Sequence, residues 1–411
     1  MERREFVTVV GGALVTGRVG GQAGGDRGDS PAHPPTRPPA LLSQEPTLSP
    51  ATFARRIERA QAELKTRKWD ALIATPSTNY LYFTGDNPGT SERLIALIVP
   101  ALGDPAIVCP AFEVDRIKAH TVIQDVRGWE EQASPYDLVK TVVRGRKPRG
   151  SGTLGLEAST GFGVYLGLRN VLDWKFEDAT AVTARLRSIK SSEEVAMIQR
   201  AIAITEDALA ATFAQLAVGM SERDGARLLV GEMDRRGAEG DGLVQFGPSS
   251  AMPHGGPAGA TLQRESVVLI DCGCRVAGYT SDITRTVWFG DHPSADFKKI
   301  YNLVYDAQTT AIELGKPLRT QCQEMDRAAR RVITEGGFGP LFTHRLGHGI
   351  GLDGHEPPYL VEGNETRLEP GMVFTVEPGI YQAGKFGVRI EDDCVMTENG
   401  VAVLSHRPTK L

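Results

Sequence analysis

The chain has little cysteine: five in 411 residues, with no Cys-x-x-Cys pair. That excludes a disulfide framework. It has no excess of positive charge: 46 Lys and Arg stand against 51 Asp and Glu, a net charge of −5. There is no basic footprint, so nucleic acid is not an expected partner. It has no apolar run near the ~20 residues that a membrane span requires, and its mean hydropathy is −0.21. What is present is ordinary for a globular protein: 41% hydrophobic and 24% charged residues. A chain of 411 residues is long enough for two or more domains with a substantial core.

One stretch stands out, Thr343-His344-Arg345-Leu346-Gly347-His348-Gly349-Ile350-Gly351-Leu352-Asp353-Gly354-His355-Glu356. Three of the eight histidines fall here. His344 and His348 are one helical turn apart, but the interleaved glycines argue against a helix. The stretch predicts strand and tight loop, with backbone packed closely and imidazoles aimed at something. A neutral imidazole is the commonest protein metal ligand, so acids elsewhere become the question. Four strand-like runs supply them. Val268-Leu269-Ile270-Asp271-Cys272-Gly273 ends in an acid, and Ser281-Asp282-Ile283-Thr284-Arg285-Thr286-Val287 alternates as a strand does. Phe374-Thr375-Val376-Glu377-Pro378-Gly379 and Gly387-Val388-Arg389-Ile390-Glu391-Asp392 each carry a further carboxylate. Taken singly, such an acid reads as a turn or cap residue. Four on four apolar strands have no inexpensive structural explanation, because a buried carboxylate without a partner is costly. Asp271, Asp282, Glu377, Glu391 and His348 together suit two divalent cations, four negative charges against four positive. Cys272 and Cys274 alternate with Asp271 on the strand, face the other way, and read as small core residues.

These motifs resemble the pita-bread metallopeptidase family, which includes aminopeptidase P, prolidase, methionine aminopeptidase and creatinase. The resemblance rests on His-x-x-x-Gly-His-Gly-x-Gly, preceded by Asp271 and Asp282 and followed by Glu377 and Glu391. It covers residues 250–395 closely and extends more weakly back to residue 52. It implies that Asp282 and Glu391 bridge two metal ions, that Asp271 completes one, and that His348 and Glu377 complete the other. A carboxylate-rich set with one imidazole favours Mn²⁺, with Co, Fe or Zn as alternatives. Two such ions together activate water and polarise a carbonyl. By resemblance Glu377 also accepts a proton from that water. His254, in a loop, binds substrate or shuttles a proton; His355 stabilises the tetrahedral intermediate; and His344 and Arg389 contact the proline side of a substrate. Taken alone, His254 is an exposed loop residue and Arg389 a counter-charge for the acids. The implied activity is hydrolysis of the bond before proline in peptides. Release of the N-terminal residue, as by aminopeptidase P, is the first reading, and the dipeptide-specific prolidase is the second. A creatinase-like or purely binding member of the fold is the remaining alternative.

The chain divides into three parts. Residues 1–50 carry Arg3-Arg4-Glu5-Phe6-Val7 ahead of a weakly apolar stretch. This resembles a twin-arginine export signal, followed by a Gly- and Pro-rich extended linker. Export out of the cytoplasm is therefore expected, with a cytoplasmic protein as the alternative. Residues 51–185 predict a smaller α/β domain of creatinase type. An amphipathic helix spans 53–68, and short apolar strands lie at 70–74, 94–99 and 106–109, with another starting at Gly155. Asn79-Tyr80-Leu81-Tyr82-Phe83-Thr84-Gly85 is similar to the signature of this domain in aminopeptidase P and prolidase, where it mediates dimer contacts; Tyr80 and Phe83 read equally well as core. Residues 186–411 predict the α+β pita-bread catalytic domain. A long helix begins there, with Ser191 and Glu194 as a capping box. Further helices follow from Ser221 to about 235, and at 295–314 and 322–335. A homodimer is expected by resemblance.

Overall fold

The computed structural model describes residues 7–10, 13–16, 47–146, 150–256 and 259–411. Arg3-Arg4 and most of the Gly- and Pro-rich stretch lie outside the described residues. Within the expected signal, β1 (Val7–Val10) pairs antiparallel with β2 (Ala13–Thr16). From residue 48 the chain forms two compact units, Leu48–Ser191 and Ser192–Leu411. Among the described residues no helix is long and apolar enough to cross a membrane.

The first unit is a mixed sheet clothed in helices. Its elements are α1 (Pro50–Arg67), β3 (Ala71–Ala74), α2 (Thr78–Thr84), β4 (Ala96–Pro100), β5 (Ala106–Pro110), α3 (Val114–His120), β6 (Asp125–Trp129), α4 (Pro135–Arg146), β7 (Thr153–Leu156), α5 (Phe162–Val171), β8 (Lys175–Asp178) and α6 (Thr180–Ser188). The strands lie in the order β6-β5-β4-β3-β7-β8. The pairs flanking β4 are antiparallel and the others parallel. β3, β4 and β5 are buried at every position, as a sheet covered on both faces requires. The run from Asn79 folds as α2, capped by the Ser77 side chain, and Tyr80 and Phe83 are fully buried in the core. The strand expected to start at Gly155 begins at Thr153 and is ending there. Helix α6 carries this unit past residue 186. The Tyr82 hydroxyl donates to the Leu186 carbonyl (3.1 Å) and Arg187 to the Asn79 side chain (3.1 Å).

The second unit is α+β. It runs through α7 (Ser192–Gln215), α8 (Glu222–Asp234), β9 (Glu239–Phe246), β10 (Ser266–Val276), β11 (Tyr279–Thr280), β12 (Ile283–Phe289), α9 (Ala295–Leu314), α10 (Cys322–Glu335), β13 (Gly347–Gly349), β14 (Glu356–Leu360), β15 (Val373–Val376), β16 (Gly379–Gln382), β17 (Phe386–Arg389), β18 (Asp392–Thr397) and β19 (Gly400–Val403). The helices run where the periodicity places them, and Ser221 accepts from Asp224 N to begin α8. One sheet orders β11-β10-β12, with β9 also on β10; a second orders β14-β13-β15-β18-β19; β16 and β17 form a ribbon. Helix α7 packs on β10, where Cys272 and Cys274 are buried, with Cys274 Sγ against Thr205 of the helix. That leaves the opposite face of β10, the one bearing Asp271, free for chemistry.

Candidate active site

The five expected ligands arrive from five places along the fold. Asp271 lies within β10, Asp282 links β11 to β12, His348 centres β13, Glu377 follows β15, and Glu391 stands between β17 and β18. The sets Asp271/Asp282/Glu391, His348/Glu377/Glu391 and Asp282/His348/His355 each place one ligand atom per residue within 4.8 Å of the others. All five therefore converge, and His355 joins them. His348 Nε2 is 3.3 Å from Glu377 Oε1 and 3.7 Å from Asp282 Oδ2.

Backbone packing explains the glycines around His348. A Cβ on Gly347 would stand 2.0 Å from the Thr375 carbonyl oxygen, and one on Gly349 2.4 Å from that of Pro357. Only glycine lets β13 lie this close to its neighbours. His348 N donates to Thr375 Oγ1 (3.1 Å), and His348 Nδ1 lies 3.1 Å from the Gly349 carbonyl. That contact leaves Nε2 unprotonated and facing the acids. Thr375 Oγ1 also donates to Glu377 (3.3 Å), Thr284 Oγ1 to Glu391 (2.5 Å), and Asp282 N to the buried Asp393 (3.0 Å). Two helices steady the frame. Gln308 of α9, fully buried, donates to the carbonyls of Val376 (3.0 Å) and Ile390 (3.3 Å) and to Asp392 (2.9 Å), beside Glu377 and Glu391. Asp326 of α10 accepts from Leu346 N (2.9 Å), while its partner Arg330 donates to the carbonyls of Phe342 and His344 (both 2.8 Å).

Electrostatics mark the same group. Burial, then the neighbouring acids, push the carboxyls of Asp282 and Glu391 far above the usual range. Burial raises Glu377 to about 8, with Arg389 opposing and Asp271 adding to the rise. Burial lowers His348 to about 3, helped by nearby His355 and Arg345, so its ring is neutral at pH 7. Four crowded carboxylates and one neutral imidazole with a directed lone pair are a donor set that fits hard divalent cations, whose charge offsets both burial and repulsion. A cavity of about 620 Å³ opens beside Asp271 and Asp282 and is lined also by Asp241, Leu243, Arg275 and His355. That volume suits a small ligand.

The remaining expected residues gather around this centre. Arg389 is buried, 3% exposed, and donates to Asp271 (2.6 Å), Thr284 (3.0 Å), Tyr381 (2.9 Å) and the Pro253 carbonyl (3.2 Å). Its contacts in the structure are those of a counter-charge. Arg389 and Glu391 do not share one strand, since β17 ends at Arg389, yet both meet Thr284 Oγ1. His344 is lowered to about 4, chiefly by burial, and lies 2.8 Å from the Tyr381 hydroxyl. His254 is exposed in the loop after β9, and its charge reaches His344 and His355, whose lowered values stem first from burial. Sequence reasoning missed Tyr381, Thr284, Gln308, Asp326 and Asp393. Thr284 had a signal, two residues from Asp282 on one strand face. So did Gln308, a lone amide among Val304, Ala307 and Ala311 on the buried face of α9.

Comparison with known proteins adds three findings. Residues 196–398 match the model of metallopeptidase family M24, and residues 56–189 that of the creatinase/prolidase N-terminal domain. The chain is 35% identical to an uncharacterized peptidase of Staphylococcus haemolyticus, over 85% of this chain and 99% of that one. Among solved structures it resembles a prolidase from Thermococcus sibiricus (TM-score 0.79, 32% identity, 89% of this chain and 99% of the other) and an X-Pro aminopeptidase from Thermotoga maritima (TM-score 0.75, 32% identity, 86% and 98%).

Proposed function

Because this chain belongs to metallopeptidase family M24, in the Xaa-Pro peptidase branch, with a creatinase-type domain ahead of its pita-bread domain, we propose that it cuts the peptide bond before proline and releases the N-terminal residue, as aminopeptidase P does. The observation that carries this reading is the convergence of Asp271, Asp282, His348, Glu377 and Glu391 beside a peptide-sized cavity. Asp282 and Glu391 would hold two divalent ions in common, Asp271 one of them, and His348 and Glu377 the other. Mn²⁺ is the first choice for this oxygen-rich set, with Co, Fe or Zn compatible. When bound, the ions supply Lewis-acid activation of water and of the scissile carbonyl. The protein's own groups do the rest. Glu377 takes the proton of the attacking water at its carboxylate. His355 donates to the carbonyl oxygen as it gains charge. His254 meets the substrate from its loop. His344, backed by Tyr381 and Arg389, forms the wall for the proline side.

The test uses an Xaa-Pro dipeptide and an Xaa-Pro-Xaa tripeptide, with Mn²⁺ and with chelator. Release of the first residue from the tripeptide, lost on chelation, is expected; an inactive protein with full metal occupancy overturns the reading. Prolidase is the second reading, favoured by the 32% identity to a prolidase that the chain matches over 99% of its length. Cleavage of the dipeptide alone decides for it. We propose two further properties on sequence grounds: export through the twin-arginine-like segment, and a homodimer. Changing Arg3-Arg4 to Lys-Lys should leave the protein in the cytoplasmic fraction, and light scattering should give twice the chain mass.

A further inference from the structure

Three imidazoles stand within residues 344–355, and each has its Nδ1 engaged. His344 Nδ1 is 2.7 Å from the Arg345 carbonyl, and His348 Nδ1 is 3.1 Å from the Gly349 carbonyl. A carbonyl only accepts, so both neutral rings carry their proton on Nδ1. Each then presents a bare Nε2, His344 to the Tyr381 hydroxyl at 2.8 Å and His348 to the acids. His355 is the exception. Its Nδ1 lies 3.4 Å from Arg345 Nη2, and a guanidinium has donors and no acceptor. The neutral His355 ring therefore accepts at Nδ1 and carries its proton on Nε2. Arg345 is held for this by stacking: its Cζ lies 4.4 Å from the centre of the Tyr359 ring. The His355 ring is held in turn against His348, with centroids 3.9 Å apart.

We propose that Arg345 is a positioning residue that sets the tautomer of His355 opposite to that of His344 and His348. The result is one N–H donor, at His355 Nε2, among rings that otherwise offer lone pairs. A ring in the other tautomer would meet a carbonyl oxygen with a lone pair and repel it. Arg345 itself contacts no substrate atom in this role. The consequence for turnover rests on the peptidase reading; the tautomer does not.

Nitrogen-15 NMR of histidine-labelled full-length protein at pH 7.5, metal-free and zinc-loaded, reads the tautomer directly. His355→Asn identifies the resonances. Wild type should show a protonated Nε2 and an unprotonated Nδ1 for His355. Arg345→Met should lower the Nε2-protonated share toward that of a free imidazole, and Arg345→Lys, which keeps a donor, should restore it. On Xaa-Pro substrates Arg345→Met should lower kcat between about 10- and 100-fold, while KM changes by less than about threefold. Arg345→Lys should recover part of kcat. A wild-type His355 tautomer in Arg345→Met overturns the proposal. So does a raised KM at unchanged kcat, which would make Arg345 a substrate-binding residue. If wild type cuts no Xaa-Pro peptide, the functional reading falls and the NMR comparison still decides the tautomer.

Discussion

At the residue scale, the acids proposed as metal ligands carry the sharpest expectations. Asp271→Ala, Asp282→Ala and Glu391→Ala should each lose bound metal and turnover together, measured by elemental analysis alongside peptide hydrolysis. Full turnover in any of them rejects the ligand assignment. His355→Ala should lower turnover by about 100-fold while metal content stays near that of wild type; parallel loss of both would make it a ligand. Gly347→Ala should destabilise the fold by more than about 2 kcal/mol, because its Cβ would meet backbone and not a movable side chain. Urea unfolding of the metal-free forms measures this. The acids and His348 were legible in the sequence because a carboxylate on an apolar strand contradicts its surroundings. Thr375, which orients Glu377, was not, because threonine is an ordinary strand residue and nothing in its local pattern is out of place.

At the element scale, α9 and α10 do more than cover the sheets. Gln308→Leu removes donors shared by two carbonyls and Asp392. It should cost about 1–3 kcal/mol and weaken metal binding, seen as a higher metal concentration for half activity. Helix α8 offers a pH test away from the metal centre. Burial pushes Glu232 up, but hydrogen bonds from Arg235, Arg236 and Gln215 outweigh it and bring the carboxyl down to about 2. A carboxyl depressed on folding stabilises fully above its unfolded value near 4.5, and that contribution is lost as pH falls through about 2. Glu232→Gln should therefore be less stable than wild type at pH 7, with the gap closing below pH 4. A gap independent of pH would show that the ion pairs contribute nothing. The first helix and those of the second unit were read closely from the sequence because a 3.6-residue period is local, whereas α2 to α6, most of them short, were not read. The end of the first unit was read early because Leu186 and Arg187 are tied to Tyr82 and Asn79 by contacts more than a hundred positions apart in sequence, which no local window displays. Gly155 was read as a strand start for a related reason: β7 takes its bounds from pairing with β3 and β8.

At the scale of the whole molecule, the second unit draws its centre from segments spanning residues 271–391, so an ion bound there should add to the stability of the fold. Saturating Mn²⁺ at 100 times its dissociation constant should stabilise the protein by about 2.7 kcal/mol for each ion bound, read as a rise in the melting temperature that chelator abolishes. An unchanged melting temperature would mean that the carboxylates bind no ion. The raised carboxyls of Asp282, Glu377 and Glu391 add a sign to this. Between about pH 4.5 and 8, the span over which Glu377 is shifted, the folded metal-free chain holds protons that the unfolded chain has released. Its stability therefore falls as pH rises. Cations and protons compete for the same oxygens, so loading the centre is a neutralisation reaction. Each ion taken up should acidify a weakly buffered solution, and the thermal gain from Mn²⁺ should be larger at pH 8 than at pH 6. Mild acid should therefore unload the centre while the protonated carboxyls keep the fold stable, and a return to neutral pH should recharge it.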